Sequence, residues 1–576
     1  MKRLLLLLIF AFAASVSFAQ EDELTPEELA RRGTNLYNAK NYVAAFPLLM
    51  KSAQEGYPFA QYMVGQCFCY GNGIGQNYEE AVKWYRKAAG RISSAQAELG
   101  ICYHEGKGVP ADMKKAIKMY RKAASQNDKK GQYRMSVCCE KGEGVPQDDK
   151  KAFQWLKKSA EQEYMPAMIR LGEYYEEGKG VNKNIEEAVK LFVQAADKGS
   201  IKAAVKLGDM FFKGESVPQD HARAVRWYHK AADNGSRNAC LDLGNIFYNG
   251  YGVPQDYARA LKWYLKAVEK GNTTAFGRIG DMYYYGLGTR KDMAQANMWY
   301  RKAAENGSIH AKNQLGVINE LGENGEKNYG KALELYTAAA EQGNATAQHN
   351  LGLAYYYGRG TDKDYEKAAY WFKKSAEQGY TNAQYRMGDI YYSGKCCPKN
   401  FKKAEYWLRK AAEQGHAKAQ YYLGNIYIKG KEGVECNPEE AVMWYRKAAE
   451  QGNKFAQYYL GNILSKGTGV ESNLEEAAKW YSKAAEQGHR ASVFRWAECL
   501  YKGKGVPQNL TEAARLLLQE AEQGNIKACY LIGRCYRYGE GVDKNIDEAV
   551  KWFEKAAANG DKSAKESISE IKATGK

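Results

Sequence analysis

Apolar side chains recur along this chain with the period of a helix, in short bursts that glycine ends. After Gly415, residues Ala419, Leu423, Ile426 and Tyr427 fall at i, i+4, i+7 and i+8, one face of a 3.6-residue helix. The pattern predicts a first helix, A, over Ala417–Lys429. Gly430 then supplies the left-handed exit that a side chain would resist. A short loop leads to Asn437, Pro438 and Glu440, which read as a capping box with proline at the first position of a second helix, B. Asn184 with Glu187, Asn473 with Glu476 and Asn545 with Glu548 repeat the device. Helix B carries Trp444, matched at the same slot by Trp84, Trp155, Trp227, Trp263, Trp299, Trp371, Trp407, Trp480 and Trp552, and it stops at Gly452.

The unit repeats. Glycines end the first half of every unit at Gly71, Gly106, Gly142, Gly178, Gly214, Gly250, Gly286, Gly322, Gly358, Gly394, Gly430, Gly467, Gly503 and Gly539, in steps of 36 residues except one of 35 and one of 37. Two short amphipathic helices cannot bury their faces alone, so each hairpin must stack on its neighbours. The expected fold is therefore all-α, a solenoid of stacked antiparallel helix pairs, with about fourteen repeats over residues 57–560. A further glycine inside helix A, at Gly172, Gly208, Gly244, Gly388 and Gly424, costs roughly 1 kcal/mol against alanine and so implies close helix approach. Ser136 and Ala497 depart from it, and residues 319–324 lose the aromatic and the G-x-G-V loop pattern, marking a bend or a weak joint. Residues 20–56 keep a hairpin pattern and residues 561–576 a polar last helix, both read as caps.

At the N-terminus, Lys2 and Arg3 precede an apolar run from Leu4 to Ala13 and a small-residue site at Ser17-Phe18-Ala19, which reads as a signal peptide over residues 1–19. The chain is expected to be exported, to the periplasm or medium, or to the ER lumen if the sequons at Asn234 and Asn306 are used. No later stretch has the length of a membrane span. The formal charge of +17 gathers in strings such as WYRKAA near helix C-termini, where cations complement the helix dipole. Export disfavours nucleic acid as the partner, while an acidic protein or an anionic envelope polymer stays open. Among the 12 cysteines, Cys67, Cys102, Cys138, Cys499 and Cys535 share one small-residue core slot. Stacked helices lie about 8–10 Å apart, beyond disulfide reach, so buried thiols are expected. The loop cysteines Cys396, Cys397 and Cys436 have backbone free enough to bridge.

The pattern A-x-x-x-L-G-x-x-Y-x-x-G-x-G-V, an acidic-rich helix, W-Y and K-A-A-x-x-G resembles the Sel-one-like repeat family, relatives of the tetratricopeptide repeats. The resemblance implies a right-handed superhelix and a scaffold for protein assembly, with no shared ligand. It also raises an alternative, a cell-wall or β-lactam-directed hydrolase, because some secreted relatives were described as β-lactamases or penicillin-binding proteins. Such enzymes need Ser-x-x-Lys with Lys-Thr-Gly and Ser-Asp-Asn elements. Here Ser569 to Lys572 stands alone in the C-terminal tail. The loop Gly71-Asn72-Gly73-Ile74-Gly75 follows a helix and reads as a turn. His104, His221, His229, His310, His349, His416 and His489 show no metal spacing. No catalytic residue, metal or cofactor is assigned.

The resemblance implies that helix A lines a concave wall. With Leu423 on the core, Asn425 points about 160° away and Tyr421 lies beside it. The first slot reads Tyr385, Tyr421, Tyr458, Phe494 and Tyr530, the second Asp389, Asn425, Asn462, Glu498 and Arg534. An aromatic stripe beside a polar one suits an extended peptide. The competing expectation is that the first slot packs between repeats.

Overall fold

The computed structural model describes residues 24–323 and 325–574, so the expected signal peptide and Asn324 lie outside it. Every regular element among the described residues is a helix, 31 in all, most of them 13 residues long. The chain forms two compact units, one running to Lys291 and the other beginning at Asp292. Within each, consecutive helices pair as antiparallel hairpins and each hairpin packs on the next. Among the described residues, no helix is long and apolar enough to cross a membrane.

Each hairpin closes on one contact. In helix A Ala417–Tyr427, a Cβ built on Gly424 would stand 2.6 Å from the ring of Tyr445, which comes from helix B Pro438–Glu450. The ring is wholly buried there. Gly244 receives Tyr264, Gly352 receives Phe372, Gly461 receives Tyr481 and Gly533 receives Phe553 in the same way. The residue after the tryptophan, not the tryptophan itself, fills this notch. At the two departures from glycine, Ser136 and Ala497, the residue at the ring's register is Leu156 or Leu517. Leucine is compatible with a side chain at these two positions without requiring one, since Gly388 also faces a leucine, Leu408.

Neighbouring hairpins are joined by the loop. The left-handed glycine ends helix A at the expected place, as at Gly467 with φ 68°. The second glycine of G-x-G lies against the previous hairpin: a Cβ on Gly505 or Gly541 would strike the backbone carbonyl of Leu474 or Leu510. The loop ends by donating the N-cap N–H back to helix A, Asn184 to Tyr175 O at 2.8 Å and Asn545 to Tyr536 O at 2.8 Å. That bond changes the expected capping boxes. The asparagine side chain accepts from the third helical N–H, as Asn437 does from Glu440 at 3.0 Å. Its own N–H is already engaged, Asn437 to Tyr427 O at 2.9 Å, so no glutamate reaches back to it. The full reciprocal box forms instead at Thr25 and Glu28, ahead of helix Pro26–Asn38.

Buried glutamines add a polar seam in the second unit. Gln420 donates to Ala412 O at 3.0 Å and accepts from Gln451 at 2.8 Å, and Gln384 and Gln457 repeat both bonds. The basic strings have a second use besides the helix dipole, since Lys87, Lys266, Lys302, Lys447, Lys483 and Lys555 sit 4.0 to 4.7 Å from the ring centres of the tryptophans three residues before them. All twelve cysteines are free thiols. Burial pushes Cys67, Cys102, Cys138 and Cys535 up to about 12, so each is a protonated thiol packed in the core.

Two loops differ locally from the rest. Helix A at Ala417 ends at Tyr427 rather than Lys429, because the longer loop folds on itself through a Lys431–Val434 bridge. In the unit at residues 309–344, Gly325 would meet nothing within 4 Å, whereas Gly360 in the next loop would strike Tyr329 O. In that loop Gly325 is not seated on the previous hairpin, while Asn328 still donates to Asn319 O at 2.8 Å.

Adding a methyl at Gly424 tests the notch. Gly424→Ala should cost about 1–3 kcal/mol by overpacking, partly offset by about 1 kcal/mol of helix propensity. Gly90→Ala, with open space around it, should stay within about 0.5 kcal/mol of wild type. Adding Tyr445→Leu should recover part of the Gly424→Ala loss in a denaturant double-mutant cycle, and strict additivity would refute the interlock. Asp242, half-buried on helix Arg237–Asn249, offers a second test, because burial first and Asp209 second raise its carboxyl to about 6. The folded protein therefore holds that proton more tightly than the unfolded chain, whose Asp value is about 3.9. This contribution is full below the unfolded value and lost as pH rises through the folded one. Asp242→Asn should accordingly raise the melting temperature at pH 8 and lose that advantage on acidification towards pH 4.

Candidate functional site

The A helices of the second unit carry the densest run of aromatic side chains. Helix Thr381–Ser393 contributes Tyr385, whose ring stacks on His416 at 4.4 Å and lies 6.1 Å from Tyr422. Tyr422 also meets Tyr392 at 5.0 Å and Tyr421 at 5.5 Å. From Tyr421 the run crosses to helix Lys454–Lys466, reaching Phe455 at 6.0 Å and Tyr459 at 6.1 Å. It ends on His489, which lies 4.9 Å from Tyr458 and 5.3 Å from Phe455. Pairs at these separations attract beyond their buried area.

The first-slot residues are not equivalent. Tyr385, Tyr421 and Tyr458 are half-buried and pack on one core cluster. Tyr421 rests 6.2 Å from Tyr445 and Tyr458 6.3 Å from Tyr481, so one face of each ring belongs to its own hairpin. Phe494 is inside the core of the next cluster, and Tyr530 leans on Phe553 at 5.8 Å. Packing within the array thus engages every position of the stripe, wholly at Phe494 and by part of the ring at the others. The most exposed rings of the run are Phe455, at 46%, and Tyr459, at 39%.

The second slot is largely committed to the fold. Asn425 accepts from the Tyr445 hydroxyl at 2.8 Å, and Asn462 from Tyr481 at 2.9 Å. Asn425 also lies against the Tyr421 hydroxyl, which lowers the phenol's tendency to stay protonated without offsetting its burial. Glu498 accepts from Arg495 at 2.7 Å and Lys502 at 3.1 Å. Arg534 lies 5.9 Å from the ring centres of Tyr501 and Tyr538. Asp389 is half-buried and its carboxyl is raised by that burial against the pull of Arg386, Lys395 and Lys418.

Two hollows open along this face. One, of about 430 Å³, is lined by Tyr385, Tyr421, Tyr422 and Phe455 with Lys418 and Lys454 at its edge. The other, of about 230 Å³, lies between Asn462 and Glu498. His416 supports the first by capping helix Ala417–Tyr427 through Nδ1, which accepts from Ala419 N at 3.1 Å. Burial lowers its pKa, in keeping with a neutral ring that stacks. The reading of the sequence passed over Tyr422, Tyr459, Phe455 and His416. The doublets Tyr421-Tyr422 and Tyr458-Tyr459 were the available signal, since adjacent rings on a helix cover a wider arc than one core stripe needs.

Comparison with known proteins follows this geometry. The Sel1 repeat matches fourteen consecutive segments, from 58–91 to 526–561. Among solved structures, the uropathogenic Escherichia coli protein c5321, described as a protective antigen displaying an SLR fold, is 38% identical, with 73% of this chain and 90% of that one covered and a TM-score of 0.54. A Sel1 repeat protein from Oxalobacter formigenes is 32% identical over 54% of this chain and 89% of its own, at a TM-score of 0.43. No protein of curated function matches by sequence. Solenoids of this kind are in general non-catalytic scaffolds for protein interaction. Fourteen matched repeats, carried by the same glycines and rings that hold the hairpins together, place this chain in the Sel1 repeat family.

Proposed function

We propose that this chain is an exported scaffold that holds a protein partner by an extended segment laid along the A helices between Tyr385 and His489. The observation that carries this reading is the unbroken aromatic run across three successive hairpins, with Phe455 and Tyr459 outward. Tight hairpins need only the inner faces of these rings. The outer faces supply rigid apolar area at small entropic cost, which is what interface anchors provide.

Lys418 and Lys454 border the larger hollow, so the segment is expected to carry apolar side chains flanked by acidic ones. The sense of the charge agrees with the +17 balance of the sequence. The polar groups of the second slot then orient and support the rings rather than reading the peptide. This revises the division of labour inferred from the helical wheel.

Partner capture from envelope extracts, followed by titration of the identified partner, tests the reading. Replacing Phe455 and Tyr459 together with alanine should weaken binding by about 2 kcal/mol or more per anchor, with a melting temperature close to wild type because both rings are exposed. Raising the ionic strength should weaken it further. Unchanged affinity in the double variant would remove the groove from consideration. Tyr445→Ala serves as the contrast, since a wholly buried ring should cost about 3–5 kcal/mol of stability.

A further inference from the structure

Stacking brings together three side chains that lie far apart in sequence. His104 is in the last turn of helix Ser93–Glu105, Cys138 is in the A helix of the next repeat, Lys129–Lys141, and Glu143 follows the left-handed Gly142 that ends it. One ligand atom from each lies within 4.8 Å of the other two. His104 Nε2 is 3.5 Å from Glu143 Oε2, and its Nδ1 is 3.4 Å from the Tyr120 hydroxyl. Glu143 Oε2 is shut off from solvent and receives no hydrogen bond, while Lys141 reaches the other oxygen at 3.6 Å.

The same register elsewhere shows what is unusual. In two other repeats this rung is an ordinary ion pair: Glu140 meets Lys179 at 2.8 Å, and Glu320 meets Arg359. The residues standing in for Cys138 there are Tyr174 and Ala354, neither of which offers a soft donor. At His104 an imidazole takes the carboxylate's place and Glu143 the cation's, beside a core thiol; the rung of Tyr501 and Glu540 shares such a thiol, Cys535, but has a phenol where His104 stands. An imidazole nitrogen, a sulfur and a carboxylate oxygen form a donor set for a borderline-soft divalent ion, and hard ions such as Mg²⁺ or Ca²⁺ prefer oxygen alone.

We propose that His104, Cys138 and Glu143 bind a Zn²⁺-class cation at the joint between two repeats of the first unit. Bond lengths of about 2.0–2.3 Å require tetrahedral ligands roughly 3.3–3.8 Å apart, so the three atoms need to close by about 1 Å. His104 and Glu143, with side chains 23% and 33% exposed, are placed to swing in. Cys138 is held by the core. In the tautomer with Nδ1–H donating to the Tyr120 hydroxyl, Nε2 turns its lone pair towards the other two ligands, a second-shell arrangement common at metal histidines. The cation displaces the thiol proton to solvent, and water takes the fourth position. The ion would pin two repeats through one cross-link.

The test uses the chain from Gln20 onward, freed of metal by chelation and titrated with Zn²⁺ alone by calorimetry and with Co²⁺ by absorption spectroscopy. One Zn²⁺ per chain is expected, with a rise in melting temperature. The Co²⁺ form should show thiolate-to-metal charge transfer, and Cys138→Ala should abolish it. His104→Ala and Glu143→Gln, partly exposed and expected to fold as wild type does in chelator, should each weaken Zn²⁺ by roughly 100-fold or more, since even outer-shell partners are commonly worth 10- to 100-fold. Absence of stoichiometric Zn²⁺, equal affinity in His104→Ala and Glu143→Gln, or charge transfer that survives Cys138→Ala would each overturn the assignment.

Discussion

At each hairpin a B-helix side chain is seated on backbone left bare by a small residue, and the spacing of the two helices follows from that contact. Tyr445 on Gly424 is the pattern: the ring is wholly buried, and no Cβ fits between it and the helix it covers. Packing this close is possible only because helix A gives up a side chain at one position per repeat. Both exceptions, Ser136 and Ala497, stand opposite a leucine rather than an aromatic.

The remaining contacts depend on that spacing. Once the helices of a hairpin are close, the loop glycine of the next repeat can lie on backbone at the start of the previous B helix, and the N-cap N–H can return to helix A. Glutamines such as Gln420 then find both a carbonyl of the preceding hairpin and an amide of their own. Each is a nearest-neighbour interaction, so stability is distributed along the array and a loop such as that at Gly325 weakens one joint without dissolving the rest.

The proposed binding face and the proposed metal site use what this framework leaves over. Rings of the second unit are anchored on one side by the hairpin and presented on the other, so rigidity for recognition comes from the core itself. The second-slot polar groups were needed closer to home. A buried tyrosine hydroxyl requires an acceptor, and Asn425 and Asn462 supply it. In the first unit, one rung between neighbouring repeats leaves a thiol, an imidazole and a carboxylate facing one another.

The amino-acid sequence alone determined the helices, their paired order, the repeat length and the family, because each rests on local chemistry repeated many times: a 3.6-residue apolar period, an asparagine cap, a glycine with positive φ. The tertiary structure decided which partner each landmark meets. A helical wheel gives the direction of Asn425 but not the hydroxyl of Tyr445, 20 residues away, that occupies it. Likewise, seven histidines without metal spacing gave no hint of His104 beside Cys138 and Glu143. Contacts between repeats arise only when the rotation from one hairpin to the next is set, and that rotation is the sum of side-chain volumes in the interface, a quantity no single period along the chain contains.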